Sequence, residues 1–135
     1  MSEAIKILIV DDHPLFRQGL SDLLGTDPNM SVVGEAADGE IAIELVYEVH
    51  PDVILMDINL PTINGLQVTR KIKSQLTDIK VIVITGYDDA EQVFHAFRAG
   101  ASAYCPKDIA PEDLINIIHA VLEGEYAVGE KNNDL

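Results

Sequence analysis

The chain has a single cysteine, few positive charges and no long apolar run, and each scarcity closes off a class of protein. Cys105 alone cannot form an intrachain disulfide, which favours a reducing compartment and makes the cytoplasm the expected location. No stretch approaches the roughly 18–20 consecutive apolar residues of a membrane span. The start, MSEAIK, lacks the basic residues and apolar core of an export signal. Nine Lys and Arg against 23 Asp and Glu leave a net charge of −14, which excludes a broad footprint on a phosphate backbone. Direct binding of nucleic acid by this chain is therefore not expected. The 135 residues suffice for one domain with a sizeable core and not for two.

What is present is a rhythm. Short Ile/Val-rich runs at residues 5–10, 32–33, 53–56 and 81–84, with a weaker one at 103–105, alternate with segments of helical periodicity. The runs are near-continuously apolar rather than alternating, as expected of strands covered on both faces of a parallel sheet. Between them, Leu15, Phe16, Leu20, Leu23 and Leu24 form one helical face behind Pro14, a residue suited to a helix's first turn. Ile41, Leu45 and Val49 form a second face, and Leu66, Thr69 and Ile72 a third. Val93, Phe94 and Phe97 form a fourth before Gly100, and Leu114, Ile117, Ile118, Val121 and Leu122 a fifth after Pro111. Five strand–helix pairs in succession predict an open, doubly wound α/β domain, whose ligands bind beyond the carboxyl ends of the strands.

The residues that follow the runs are the polar ones. Asp11 and Asp12 follow the first, Asp57 the third, Thr85 the fourth and Lys107 the fifth. An acid pair after a strand is, by itself, an ordinary solvated turn and helix cap. Lys107 alone is an ordinary surface lysine, and Thr85 alone a strand-end hydroxyl bonded to backbone. The case rests on their coincidence at one sheet edge. Three carboxylates gathered there repel and raise the proton affinity of at least one of them unless a cation intervenes. Hard oxygens with no soft ligand nearby suit Mg²⁺, which takes one or two carboxylates, keeps waters and completes its shell with phosphate. The Lys107 ammonium and Thr85 hydroxyl are suited to phosphoryl oxygens, so the set is read as a pocket for a phosphoryl group on Asp57. His13, His50, His95 and His119 are scattered singly and receive no role. Asn64, Gly65 and Pro61 are read as shaping the loop after Asp57.

The segments LIVDDHPLFRQGL, VILMDINLPTINGL, VIVITGY and ASAYCPKD together resemble the receiver domain of two-component response regulators, and DHPLFRQGL resembles the NarL/LuxR-type branch. The resemblance implies a flavodoxin-like (βα)5 fold of strand order 2-1-3-4-5, with residues 1–123 as receiver and 124–135 as a flexible tail or the start of a linker. It implies that Asp57 accepts phosphoryl from the phosphohistidine of a sensor histidine kinase. Asp12 and Asp57 would ligate Mg²⁺ directly, Asp11 through water, and the main-chain carbonyl of Asn59 would be a further ligand. Thr85 and Lys107 would hold the phosphoryl oxygens, and Tyr104 would move with Thr85, turning from a more exposed to a more buried position. The domain would act as a signalling phosphoacceptor rather than as an enzyme, apart from promoting its own phosphoryl transfer and autodephosphorylation. A homodimer formed on phosphorylation is compatible with the resemblance. Transcription would be regulated through a helix-turn-helix domain that this chain does not contain; a stand-alone receiver signalling by protein contacts is the alternative. One departure from the family pattern is that Pro106 precedes the lysine, as befits the edge strand that the fifth is in this order.

Two other classes fit less well. A haloacid-dehalogenase-like phosphatase needs a second Asp two residues after its nucleophile, where this chain has Asn59. A flavodoxin-like electron carrier needs a Gly/Ser/Thr-rich phosphate loop after the first strand, where this chain has DDHPLF.

Overall fold

The computed structural model describes residues 3–86 and 90–130. Five parallel strands, β1 (Ile5–Val10), β2 (Met30–Ala36), β3 (Val53–Asp57), β4 (Lys80–Thr85) and β5 (Ala103–Pro106), are joined by helices α1 (Pro14–Gly25), α2 (Gly39–Val49), α3 (Gly65–Gln75) and α4 (Ala90–Ala99), and α5 (Pro111–Leu122) follows β5. The sheet order is β2-β1-β3-β4-β5, as expected of the flavodoxin-like fold, extended by a two-residue strand β6 (Ala127–Val128) parallel to β5. No such strand was foreseen in the polar sequence GEYAVGEKNNDL, which is where the predicted tail lies.

The unbroken apolar runs are explained by two core layers. Along β1, Ile7 and Ile9 pack with Leu20 and Leu24 of α1 and with Leu114, Ile118 and Val121 of α5. Leu8 and Val10 face the opposite way, onto Ala42 and Val46 of α2, Val68 and Ile72 of α3 and Ala96 of α4. Successive residues on a strand point to opposite faces, so covering both faces requires apolar residues at every position.

Local chemistry sets the helix starts. Asp38 accepts from the Ile41 amide at 2.9 Å to cap α2. Asn64 and Gln67 form a reciprocal capping box at α3, and Pro14 and Pro111 open α1 and α5. The predicted faces are corrected at three residues. Leu15 (90 % exposed), Ile41 and Phe94 point to solvent. Neighbouring residues on a helix diverge by about 100°, and of the pair Leu15 and Phe16 at the margin of the apolar arc it is Phe16 that packs on the core. Ala42 and Val68, absent from the predicted faces, are fully buried.

The expectation that β5 is an edge strand also needs revision, since β6 covers Ala103 and Tyr104. Pro106 is accommodated for a related reason. The Lys107 amide donates to the Thr85 carbonyl at 2.9 Å, so the position before it faces away from β4, beyond the end of β6.

Candidate functional site

β1, β3, β4 and β5 end side by side, and their ends are where the predicted site residues gather. Asp57 is the last residue of β3 and Thr85 the last of β4, so each strand runs one residue beyond its apolar run. Asp11 and Asp57 are both almost completely buried, Asp12 is partly exposed, and Thr85 is wholly buried. An open cleft of about 590 Å³ lies above them, lined by Asp12, His13, Asp57, Asn59, Gly86 and Lys107. Of the remaining predicted residues, Asp11 lies beneath Lys107. Thr85 sits inside the strand end, with its neighbour Gly86 lining the cleft.

Lys107 joins the two buried acids. Its Nζ is 3.0 Å from Asp11 Oδ2 and 3.3 Å from Asp57 Oδ2, and it lies 4.6 Å from the centre of the Phe16 ring. One cation thus serves two carboxylates. Burial, and after it repulsion from Asp11, pushes the Asp57 carboxyl above its ordinary pKa; the Lys107 charge and the Asn59 amide, which donates to Oδ1 at 3.3 Å, pull in the other direction without cancelling the rise.

His13 was given no role from sequence, yet it stands in the cleft. Its amide donates to Asp11 Oδ1 at 2.7 Å, closing a turn that brings its ring back over the acids. Nδ1 lies 2.9 Å from Asp11 Oδ1, 3.2 Å from Asp12 Oδ1 and 3.0 Å from Lys107 Nζ. A single ring nitrogen can donate one proton or accept one, so it cannot satisfy all three neighbours. Asp12 Oδ1 is the oxygen left over, buried and without a hydrogen bond despite its proximity to His13.

Ligand atoms of Asp11, Asp12, His13 and Asp57 all lie within 4.8 Å of one another. Three convergent carboxylates, an orphaned buried oxygen and, among the described residues, a single lysine make a donor set that fits a hard divalent cation. Asn59 borders the same cleft.

Tyr104 is not in the cleft. It is 3 % exposed and lies in the core layer with Val83, Ala96 and Ala101. Its strand neighbour across the ladder is Val83, two residues before Thr85.

Besides His13, sequence reasoning missed Phe16 as a platform for Lys107, having assigned it only to a core face, and Arg17, whose guanidinium bonds the Asp11 carbonyl. The available signal was position: all three follow the acid pair within one helical turn or so.

The chain matches the family model described as response regulator receiver domain over residues 7–119. It is 43% identical over 120 residues to the transcriptional regulatory protein DegU of Brevibacillus brevis, covering 89% of this chain and 51% of that protein. With the nitrate/nitrite response regulator protein NarL of Escherichia coli it shares 38% identity over 128 residues, covering 95% and 59%. The chain thus spans about half to three fifths of the length of these curated relatives. Among solved structures, the signal receiver domain of a NarL from Mycobacterium tuberculosis aligns with a TM-score of 0.87 at 32% identity, covering 92% of this chain and all of that one. A LuxR-family response regulator from Aurantimonas aligns with a TM-score of 0.88 at 36% identity, covering 93% and 89%. With its strand order, its site at the strand ends and these relatives in agreement, the chain belongs to the response regulator receiver domain family, on its NarL/LuxR branch.

Proposed function

We propose that this domain is a phosphoacceptor switch in which Asp57 takes a phosphoryl group from the phosphohistidine of a sensor histidine kinase in a Mg²⁺-dependent reaction. The observation that carries the reading is the placement of Asp57. It is a buried carboxylate that shares Lys107 with Asp11 yet is open to a cleft large enough for a phosphoryl group and its donor.

In the transfer, an Asp57 carboxylate oxygen attacks phosphorus, the P–N bond breaks, and the imidazole nitrogen leaves with the electron pair and takes up a proton. Asp12, Asp57 and the Asn59 carbonyl would hold the cation, with Asp11 acting through water; when bound, it offsets the mutual repulsion of the acids and the charge on the phosphoryl oxygens. Lys107 already faces Asp57 and needs only a side-chain rotation to follow an oxygen of the acyl phosphate. Thr85, ending the neighbouring strand, supplies a hydroxyl. Its movement toward the phosphoryl group would be matched by Tyr104, and a phosphoryl group shifts this equilibrium only by its differential interaction with the two states.

Among the described residues no helix is long and apolar enough to cross a membrane. We assign the domain to the cytoplasm, where kinase phosphohistidine is available. For the longer protein to which relatives of this kind correspond, the output is transcription regulation through a DNA-binding domain outside this chain, with a homodimer formed on phosphorylation as the route.

The test is incubation with a small phosphodonor, with and without Mg²⁺, and mass analysis of the product. One phosphoryl group on Asp57 with Mg²⁺, and none after chelation, is expected. Undiminished labelling of Asp57→Ala overturns the assignment. Thr85→Ala is expected to accept the label and to leave the Tyr104 NMR signals unchanged on phosphorylation.

A further inference from the structure

The acid pair sits on a turn, and turns between a buried strand and a helix move more easily than either element. Asp11 and Asp12 must nevertheless keep their carboxylates converged against their own repulsion. The turn is gripped from two sides. From the sheet side, the Asp11 amide donates to the Ala36 carbonyl at the end of β2, at 3.0 Å. From the helix side comes Arg17. Its backbone amide donates to the His13 carbonyl at 3.0 Å, and its guanidinium Nη1 donates to the Asp11 carbonyl at 2.6 Å. Its Nε donates to Glu35 Oε1 at 3.1 Å, and Glu35 immediately precedes Ala36.

We infer that Arg17 is a positioning residue for the acid pair, clamping the backbone of Asp11 while Glu35 of β2 aims its guanidinium. The inference rests on the phosphoacceptor reading of the cleft. The two bonds leave the guanidinium in different directions, one to a carbonyl and one to a carboxylate. That is a task for a rigid planar fork with several donors, whereas a lysine offers one point charge on a flexible stem. The pair is also placed differently from an ordinary surface ion pair. Arg17 is mostly buried, and its shortest bond goes to the main chain of a residue that faces Lys107 and Asp57 at the floor of the cleft. Any slack at this carbonyl is transmitted through one Cα to the Asp11 carboxylate and through the next to Asp12.

The test compares Mg²⁺ binding to the 135-residue chain and to Arg17→Met, Arg17→Lys, Glu35→Gln and the double variant Arg17→Met/Glu35→Gln, followed by the NMR shifts of the Asp12 and His13 amides, with thermal melts alongside. Loss of partners that orient metal ligands typically weakens metal binding ~10–100-fold. Arg17→Met is expected near the lower end, about tenfold weaker, and Glu35→Gln about threefold weaker, since the carbonyl bond remains. Arg17→Lys should recover the melting temperature without recovering Mg²⁺ affinity, a split that a purely structural role does not produce. Adding Glu35→Gln to Arg17→Met should cost nothing further, because Glu35 acts through the arginine. Wild-type Mg²⁺ affinity in folded Arg17→Met overturns the inference. If that variant does not fold, full affinity in Glu35→Gln together with full recovery in Arg17→Lys does so. A wild-type chain that binds no Mg²⁺ overturns the phosphoacceptor reading itself, and this inference with it.

Discussion

Gly65→Ala is a one-carbon change behind Asp57 that should disturb both fold and site. Gly65 opens α3 and is buried, and its amide donates to the Ile58 carbonyl at 2.8 Å. A Cβ built there falls deep inside the van der Waals radius of the Asp57 carbonyl oxygen, with the Asp57 carbonyl carbon at 2.8 Å and the Ile58 Cα at 3.0 Å. These are backbone atoms of a strand end and cannot rotate aside. The N-terminus of α3 must retreat by on the order of 1 Å to restore normal carbon–oxygen contact, stretching the bond to Ile58 beyond useful length. Overpacking costs about 1–3 kcal/mol and the lost bond about 1, against a gain of up to about 1 from replacing glycine in a helix. The net expectation is about 1–3 kcal/mol of lost stability, or a melting temperature lower by about 4–11 °C for a chain of this size. Asp57 moves with its carbonyl, so labelling by a phosphodonor should slow along with it. Gly19→Ala is the matched control. It lies within α1 with nothing near the added methyl, and should stabilise by up to about 1 kcal/mol. Urea and thermal unfolding of both variants decide the matter. A Gly65→Ala protein as stable as wild type, labelled at the wild-type rate, would show that the approach of α3 to Asp57 is not the constraint described.

The Asp57 carboxyl binds its proton more tightly in the fold than in the unfolded chain, because of burial and the Asp11 charge. Its ionisation therefore opposes folding, and stability from this group should rise as pH falls through its elevated folded pKa toward the unfolded value. Urea unfolding in the presence of a chelator should accordingly show Asp57→Asn more stable than wild type at neutral pH, with the difference shrinking on acidification. The Cys105 thiol, buried and pushed up to about 12, should react with iodoacetamide orders of magnitude more slowly in the folded protein than in urea, as followed by mass spectrometry. A methyl on Gly129 would press on Ile109 Cδ1, Cys105 Sγ and Ile117 Cδ1, the ends of flexible side chains. Gly129→Val should thus leave the five-stranded fold intact but release β6, detected as faster hydrogen exchange of the Ala127 amide bonded to Ser102.

The sheet was legible because parallel strands buried on both faces must be apolar at every position, and the runs ending at Val10, Met56 and Ile84 have that character. The helices were legible as elements and less so as surfaces. Periodicity finds an apolar arc, but at its margins it does not say whether Leu15 or Phe16 turns inward, which depends on how the helix rolls on the sheet. β6 left no signal, since it is held through the Ala127 and Gly129 amides, and backbone bonds have no side-chain signature. Gly65 was readable as a loop-shaping residue, but its approach to the Asp57 carbonyl belongs to the tertiary structure alone.

The site shows the same division between what topology dictates and what packing adds. Parallel strands place their carboxyl ends on one edge, so an acid after β1, an acid ending β3 and a lysine after β5 become neighbours once the strand order is known. The cost of that convergence falls on the residues around it. Asp57 carries an elevated pKa, Asp12 Oδ1 lacks a hydrogen bond, and His13 Nδ1 has more neighbours than it can satisfy. Phe16 and Arg17 are the counterweights, one beneath the shared lysine and the other behind the Asp11 carbonyl. Such residues look ordinary in a sequence because a phenylalanine at helical spacing reads as core and an arginine on a helix reads as surface. Their work is visible only beside the charges they steady. A cluster kept short of compensating charge in this way gains from a hard cation, whereas a fully neutralised one would have little left to gain.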